Sequence, residues 1–193
     1  MMDEINRLTK RALKGDEKAL YQLFSFLDQY NSPIAKFAGY SIVYQLAMNK
    51  LIPETAKDCE ACGGKCCKSG LPVPVYDFDM EELKGRVRLE KKGDIYILPR
   101  PCPFLKGWAC GIHEVKPYAC LSFPFATEDE QIQVVNSYKG DSVPDFHVPE
   151  YCIAGKRVKD VLGKVVTEFE KKNGRVPTPK ELYELLSKAA AKV

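Results

Sequence analysis

The stretch Cys59-Glu60-Ala61-Cys62-Gly63-Gly64-Lys65-Cys66-Cys67 places four thiols within nine residues, closer than chain packing alone requires. Four more cysteines follow singly: Cys102, Cys110, Cys120 and Cys152. Thiols crowded in this way are either oxidised to disulfides or hold metal, and the redox compartment decides between the two. The opening residues MMDEINRLTKRALKGDE alternate charge and lack the apolar run of a secretory signal. No segment approaches the roughly 18 apolar residues of a membrane span. A cytoplasmic, reducing setting without membrane association is therefore expected, and the cysteines are read first as metal ligands. A disulfide framework is the competing reading, because intracellular proteins of hyperthermophiles can carry one.

Cys59-x2-Cys62-Gly63 has the form of a metal knuckle, in which two sulfurs point at one ion and the glycine lets backbone amides approach them. No second CxxC completes a zinc ribbon, so Cys66-Cys67 supplies the next ligands. Adjacent side chains diverge, so one of this pair faces the site while its neighbour reaches a second iron, a second site or the core. Cys59, Cys62, Cys66 and one of the single cysteines are the expected ligands of a first centre. Cys152 and Cys67 are the first candidates for a merely structural role, since a lone buried cysteine behaves as a small hydrophobe. Eight thiolates suit two four-thiolate zinc sites, one iron–sulfur cluster with four cysteines to spare, or two clusters. Soft sulfur donors disfavour magnesium and calcium, and spacing does not separate zinc from iron.

The cysteine-bearing segment sits between two helical ones. Asp16 predicts a helix cap ahead of Leu20, Leu23, Phe24 and Leu27, and Asn31-Ser32-Pro33 predicts another ahead of an apolar run from Ile34 to Ala47. Residues 59–152 hold nine of the thirteen prolines, with strands predicted over Val73–Phe78, Arg86–Glu90, Ile95–Leu98 and Gln131–Val135. Lys91-Lys92-Gly93-Asp94 reads as a hairpin turn. Beyond it, Val158, Val161, Leu162, Val165, Val166 and Phe169 trace one helical stripe that stops at Asn173-Gly174. Thr178-Pro179-Lys180-Glu181 then has the spacing of a capping box. The expected fold is irregular α+β: an N-terminal helical segment (1–55), a small cysteine-rich metal-organised core with short strands (56–155), and a basic C-terminal helical pair (156–193). That pair carries +5 while the rest of the chain carries −2. Nucleic acid is a conceivable partner for it, but a helical hairpin docked on the core is the favoured reading.

The local phrases around the cysteines carry a resemblance. The array at Cys59–Cys67 is followed by Cys102-Pro103-Phe104-Leu105, by Cys110-Gly111-Ile112-His113-Glu114, by Pro117-Tyr118-Ala119-Cys120-Leu121-Ser122-Phe123-Pro124, and by Cys152-Ile153-Ala154-Gly155. This order resembles the YkgJ-like, or CxxCxxCC, family of zinc- or iron-chelating cysteine clusters, over about residues 59–155. All eight cysteines are metal ligands on that resemblance. His113 stands where the family phrase has tyrosine, and Lys116 and Leu121 stand where it has arginines. Related sequences include a flagellin lysine methylase with an iron–sulfur cluster, and that link is the sole pointer to methyl transfer.

Other chemistry is sparse. His113 is expected to be a hydrogen-bonding neighbour of the thiolates and His147 an ordinary packing residue. Phe104, Trp108, Phe123 and Phe125 are expected to wall the later cysteines from water. Asp77, Asp79, Glu81 and Glu82 read as a strand end entering a helix. The reading is a cysteine-ligated metal-binding protein carrying an iron–sulfur cluster (4Fe–4S by preference), in a redox or protein-modifying role on an unknown protein partner or substrate. The alternative is a zinc-stapled module that binds a protein or nucleic acid.

Overall fold

The computed structural model describes residues 2–83, 85–125 and 128–191. Helix α1 (Met2–Leu13) is followed by α2 (Glu17–Asp28), which starts where Asp16 accepts a hydrogen bond from the Ala19 N–H. Ser32 does the same for the Ala35 N–H at the start of α3 (Pro33–Leu46), with Pro33 in the first turn. These caps satisfy amides that a helix leaves open at its N-terminus. Helix α3 is buried round most of its circumference and runs into a π-helical turn, Ala47–Leu51. The Thr55 hydroxyl bonds the carbonyls of Met48 and Ile52, closing that turn ahead of α4 (Thr55–Cys62).

The two ends of the chain share one core. Helices α9 (Ile153–Asn173) and α10 (Pro179–Ala191) bury Val158, Leu162, Val166, Leu182 and Leu186 against Leu20, Leu23 and Val43. Removing an apolar face of this size from water is worth on the order of several kcal/mol at about 25 cal/mol per Å². Val161 and Val165 are partly buried as expected, whereas Phe169 lies half-exposed beneath the Arg175 guanidinium, 5.1 Å from its ring centre. Gly174 ends α9 in a left-handed conformation. The capping box then forms both of its bonds: Glu181 N–H donates to Thr178 Oγ1 at 3.2 Å, and Thr178 N–H donates to Glu181 Oε1 at 3.0 Å. The Tyr40 hydroxyl holds the linker by donating to the Pro177 carbonyl at 2.6 Å.

Strands β1 (Val73–Val75), β2 (Glu90–Lys92) and β3 (Ile95–Leu98) form an antiparallel sheet in the order β1-β3-β2. The hairpin turn predicted over Lys91–Asp94 is tighter than that: Lys91 and Lys92 belong to β2, and Lys92 pairs with Ile95 across Gly93-Asp94. A second ladder joins β4 (Leu105–Lys106) to β5 (Ala109–Cys110). Four more helices punctuate this region: α5 (Lys65–Lys68), α6 (Asp77–Leu83), α7 (Tyr118–Ser122) and α8 (Glu128–Ser137). The result is irregular α+β, mostly helical, with a few short strands.

Three strand predictions need correction. The strand from Val73 stops at Val75 because the Asp79 carboxylate accepts the Tyr76 N–H at 3.1 Å and turns the chain into α6. The strand expected over Arg86–Glu90 begins only at Glu90. Gln131–Val135 is part of α8, a helix. Its inward positions are Gln131, Val134, Val135 and Tyr138, a helical period that starts on a polar residue. Gln131 can be buried because its amide donates to the Pro124 and His147 carbonyls while its oxygen accepts the His147 N–H.

Candidate metal centre

Cys59 and Cys62 are on α4, so the CxxC is the end of a helix and not a loop knuckle. Gly63 and Gly64 are both left-handed, and they reverse the chain into α5 with Cys66 and Cys67. At Gly64 an added Cβ would lie 2.9 Å from the Trp108 carbonyl oxygen, so the turn tolerates no side chain there.

Two sets of thiols emerge. Helix α4 packs along α9, whose N-cap is Cys152, with Sγ accepting the Gly155 N–H at 3.3 Å. The charges that act on the Cys152 thiol are those of Cys59, Cys62 and Asp58, so these thiols are neighbours although some 90 residues separate them in sequence. The other set belongs to a small second core of Val75, Leu83, Leu98 and Ile112, into which Cys67, Cys102, Cys110 and Cys120 pack. The Cys102 N–H donates to the Cys67 carbonyl at 2.7 Å. Cys66 and Cys67, neighbours in α5, join the sets, and both line the same cavity.

Cys66, Cys67, Cys102, Cys110 and Cys120 line a cavity of about 220 Å³, together with Arg100 and Lys116. Its outer wall is apolar and reaches Leu71, which is 74% exposed. All eight cysteines are free thiols, which disposes of the disulfide reading for this structure. Among the described residues, no three cysteine, histidine or carboxylate side chains converge closely enough to hold one ion.

Electrostatics ranks the thiols. Burial pushes Cys59, Cys110, Cys120 and Cys152 above the usual thiol range. At Cys120 the opposing influences are the Arg100 charge, the Lys116 charge and a hydrogen bond from Arg100. Hydrogen bonding between the Cys66 and Cys67 thiols acts in opposite directions: it lowers Cys66, where the thiolate accepts, and raises Cys67, which keeps its proton. A soft metal displaces these protons as it binds, and an all-thiol donor set suits zinc or an iron–sulfur cluster.

Several expectations are redrawn by the fold. Phe104 packs in the second core and Phe123 lines the cavity, but Phe125 lies in the helical core, 5.4 Å from Tyr44 and 5.8 Å from Phe146 between ring centres. Trp108 is 40% exposed. His113 is exposed beside the site, its imidazole pushed towards the neutral form by desolvation and by Lys116. His147 engages α8 through its backbone. Arg100 is the cavity residue that motif reading passed over; its place two residues before Cys102 is the signal that points to it.

Residues 58–139 match the model of the CxxCxxCC family, described as a "putative zinc- or iron-chelating domain". The match takes in seven of the eight cysteines and stops before Cys152. No curated protein and no solved structure gives a significant match.

Proposed function

From the match of residues 58–139 to the CxxCxxCC family model we propose that this chain holds two metal centres, one of them an iron–sulfur cluster open to the cavity. The first would use Cys59, Cys62, Cys66 and Cys152, between α4 and α9. The second would use Cys67, Cys102, Cys110 and Cys120. The observation that carries the reading is the cavity of about 220 Å³ among the thiols of the second set. Around a single zinc ion, with sulfur at about 2.3 Å, the four sulfurs close to within about 3.8 Å of one another and leave no such space. A polynuclear cluster spaces its thiolates more widely and fills the volume between them. When bound, such a cluster supplies one-electron chemistry. The residues of this chain orient the thiols, exclude water with the apolar wall, and leave an approach past Leu71 for an electron-transfer partner or a substrate.

For the first set we propose a closed structural ion, whose four thiols would have to draw together as it binds. Cys152 is buried at the N-cap of α9, the long helix that packs on α4. Structural sites of this kind are four-coordinate and contribute directly to folding.

The test is metal and inorganic sulfide analysis of protein purified and reconstituted without oxygen. Brown protein with broad visible absorption and stoichiometric sulfide is expected, and Cys110→Ser or Cys120→Ser should remove the colour while Cys62→Ser spares it. Colourless protein with zinc at both sets and no sulfide would overturn the cluster and leave a zinc-stapled module.

A further inference from the structure

Two cations enter the cavity wall, Arg100 and Lys116. Arg100 is anchored: its Nε donates to the Cys66 carbonyl at 2.9 Å. Lys116 is half-buried, and among the described residues no carboxylate lies within ion-pair distance of it. Lys116 lines the cavity together with Cys66 of the first set and Cys67, Cys102, Cys110 and Cys120 of the second. A half-buried cation beside thiols of both sets, with no acid partner among the described residues, is left uncompensated in the metal-free chain.

Metal held by thiolates supplies the opposite charge. Four thiolates around a zinc ion, or around a cluster core of charge about +2, leave about −2 per centre, hence about −4 for the pair. Charge of that size in a partly dehydrated site is costly unless compensated nearby. The same sum argues against Lys116 as a receptor for an anionic substrate, because the loaded site stays negative even with both cations counted.

We infer that Lys116 is a counter-cation shared by the two thiol sets, so that it supports metal at both and couples their loading. This rests on the two-centre reading above. Lys116 touches no substrate on this view; it acts through the thiolates.

The experiment compares wild type, Lys116→Met and Lys116→Arg, as full-length chains, for zinc and iron retained against a competing chelator. Cys62→Ser and Cys110→Ser backgrounds isolate one set at a time. Lys116→Met should weaken metal at each set by on the order of 10- to 100-fold, the range found for residues that support ligands from behind. Lys116→Arg should restore it, which a purely steric role would not predict. Where a cluster is loaded, its reduction potential should fall in Lys116→Met, since removing a positive charge disfavours the reduced state. Thermal melts of the metal-free variants check folding, and Lys116→Gln replaces the methionine variant if that one unfolds. Unchanged retention in Lys116→Met, or weakening at one set alone, would overturn the inference while leaving the two centres standing. A wild-type chain that takes up no metal would overturn both.

Discussion

Lys10 and Asp79 form an ion pair at 2.6 Å with both side chains buried, 3% and 0% exposed, joining α1 to α6. Asp79 also accepts the N–H groups of Tyr118 and Tyr76, at 2.9 and 3.1 Å. One carboxylate thus fixes the N-terminal helix, the end of the sheet and the start of α7, two residues before Cys120. Arg7–Glu81 and Lys14–Glu82 pairs flank it on the surface, where each contributes little.

Removing Asp79 leaves the buried Lys10 with only the half-exposed Glu82, 3.2 Å away, and removing Lys10 leaves the buried Asp79 carboxylate without its cation. Asp79→Ala should therefore cost about 3–5 kcal/mol of stability, with Lys10→Met also strongly destabilising. Denaturant melts of both single variants and the double variant will check this. The double variant should lose clearly less than the sum of the singles, and additive losses would show that the two groups are not coupled.

Arg157 grips Asp58 with two hydrogen bonds, at 2.5 and 3.0 Å, one residue before Cys59 and five after Cys152. Arg157 is 43% exposed, so solvent screens the pair and its own contribution to stability is small. Its larger effect should be on register between α4 and α9. Arg157→Met is expected to lower metal retention at the Cys59/Cys62/Cys152 end more than at the cavity end, as metal analysis in the Cys110→Ser and Cys62→Ser backgrounds would reveal.

Cys66 is the thiol held below its usual range, first by the bond from Cys67 and then by Lys116 against opposing burial. In reduced, metal-free protein it should be alkylated ahead of Cys110, Cys120 and Cys152 as pH rises. Peptide mapping after limited iodoacetamide treatment reads the order. First labelling at Cys120, which burial raises, would contradict the assignment.

Glu181 is lowered from 4.5 to about 2, chiefly by the Arg175 hydrogen bonds and then, against desolvation, by its bonds to Thr178. A carboxylate depressed on folding contributes stability that is full above about 4.5 and is lost as pH falls through about 2. Side-chain exposures of 55% for Arg175 and 32% for Glu181 limit the size of the effect. Glu181→Gln should cost roughly 0.5–1 kcal/mol near neutral pH. Its deficit should shrink as melts are taken from pH 5 towards pH 2. A deficit that stays constant over this range would mean that the charge plays no part.

The sequence by itself determined the features that are closed within a few residues. The caps at Asp16 and Ser32, the box at Thr178–Glu181 and the stop at Gly174 each satisfy backbone groups with a side chain or a glycine nearby, so composition and spacing reveal them. The cysteine phrases likewise pointed to the family whose model matches residues 58–139. Only the tertiary structure decided which thiols meet: Cys152 comes beside Cys59 and Cys62 because α9 packs on α4, a contact driven by apolar faces far apart in the chain. Gln131 had to be seen paired before α8 could be recognised as a helix, since its polarity masks the inward position. Lys116 stood out in the sequence only as the residue in place of a family arginine; that it lines a cavity with five thiols was decided by the fold, because electrostatic neighbourhood depends on distance through space and not along the chain.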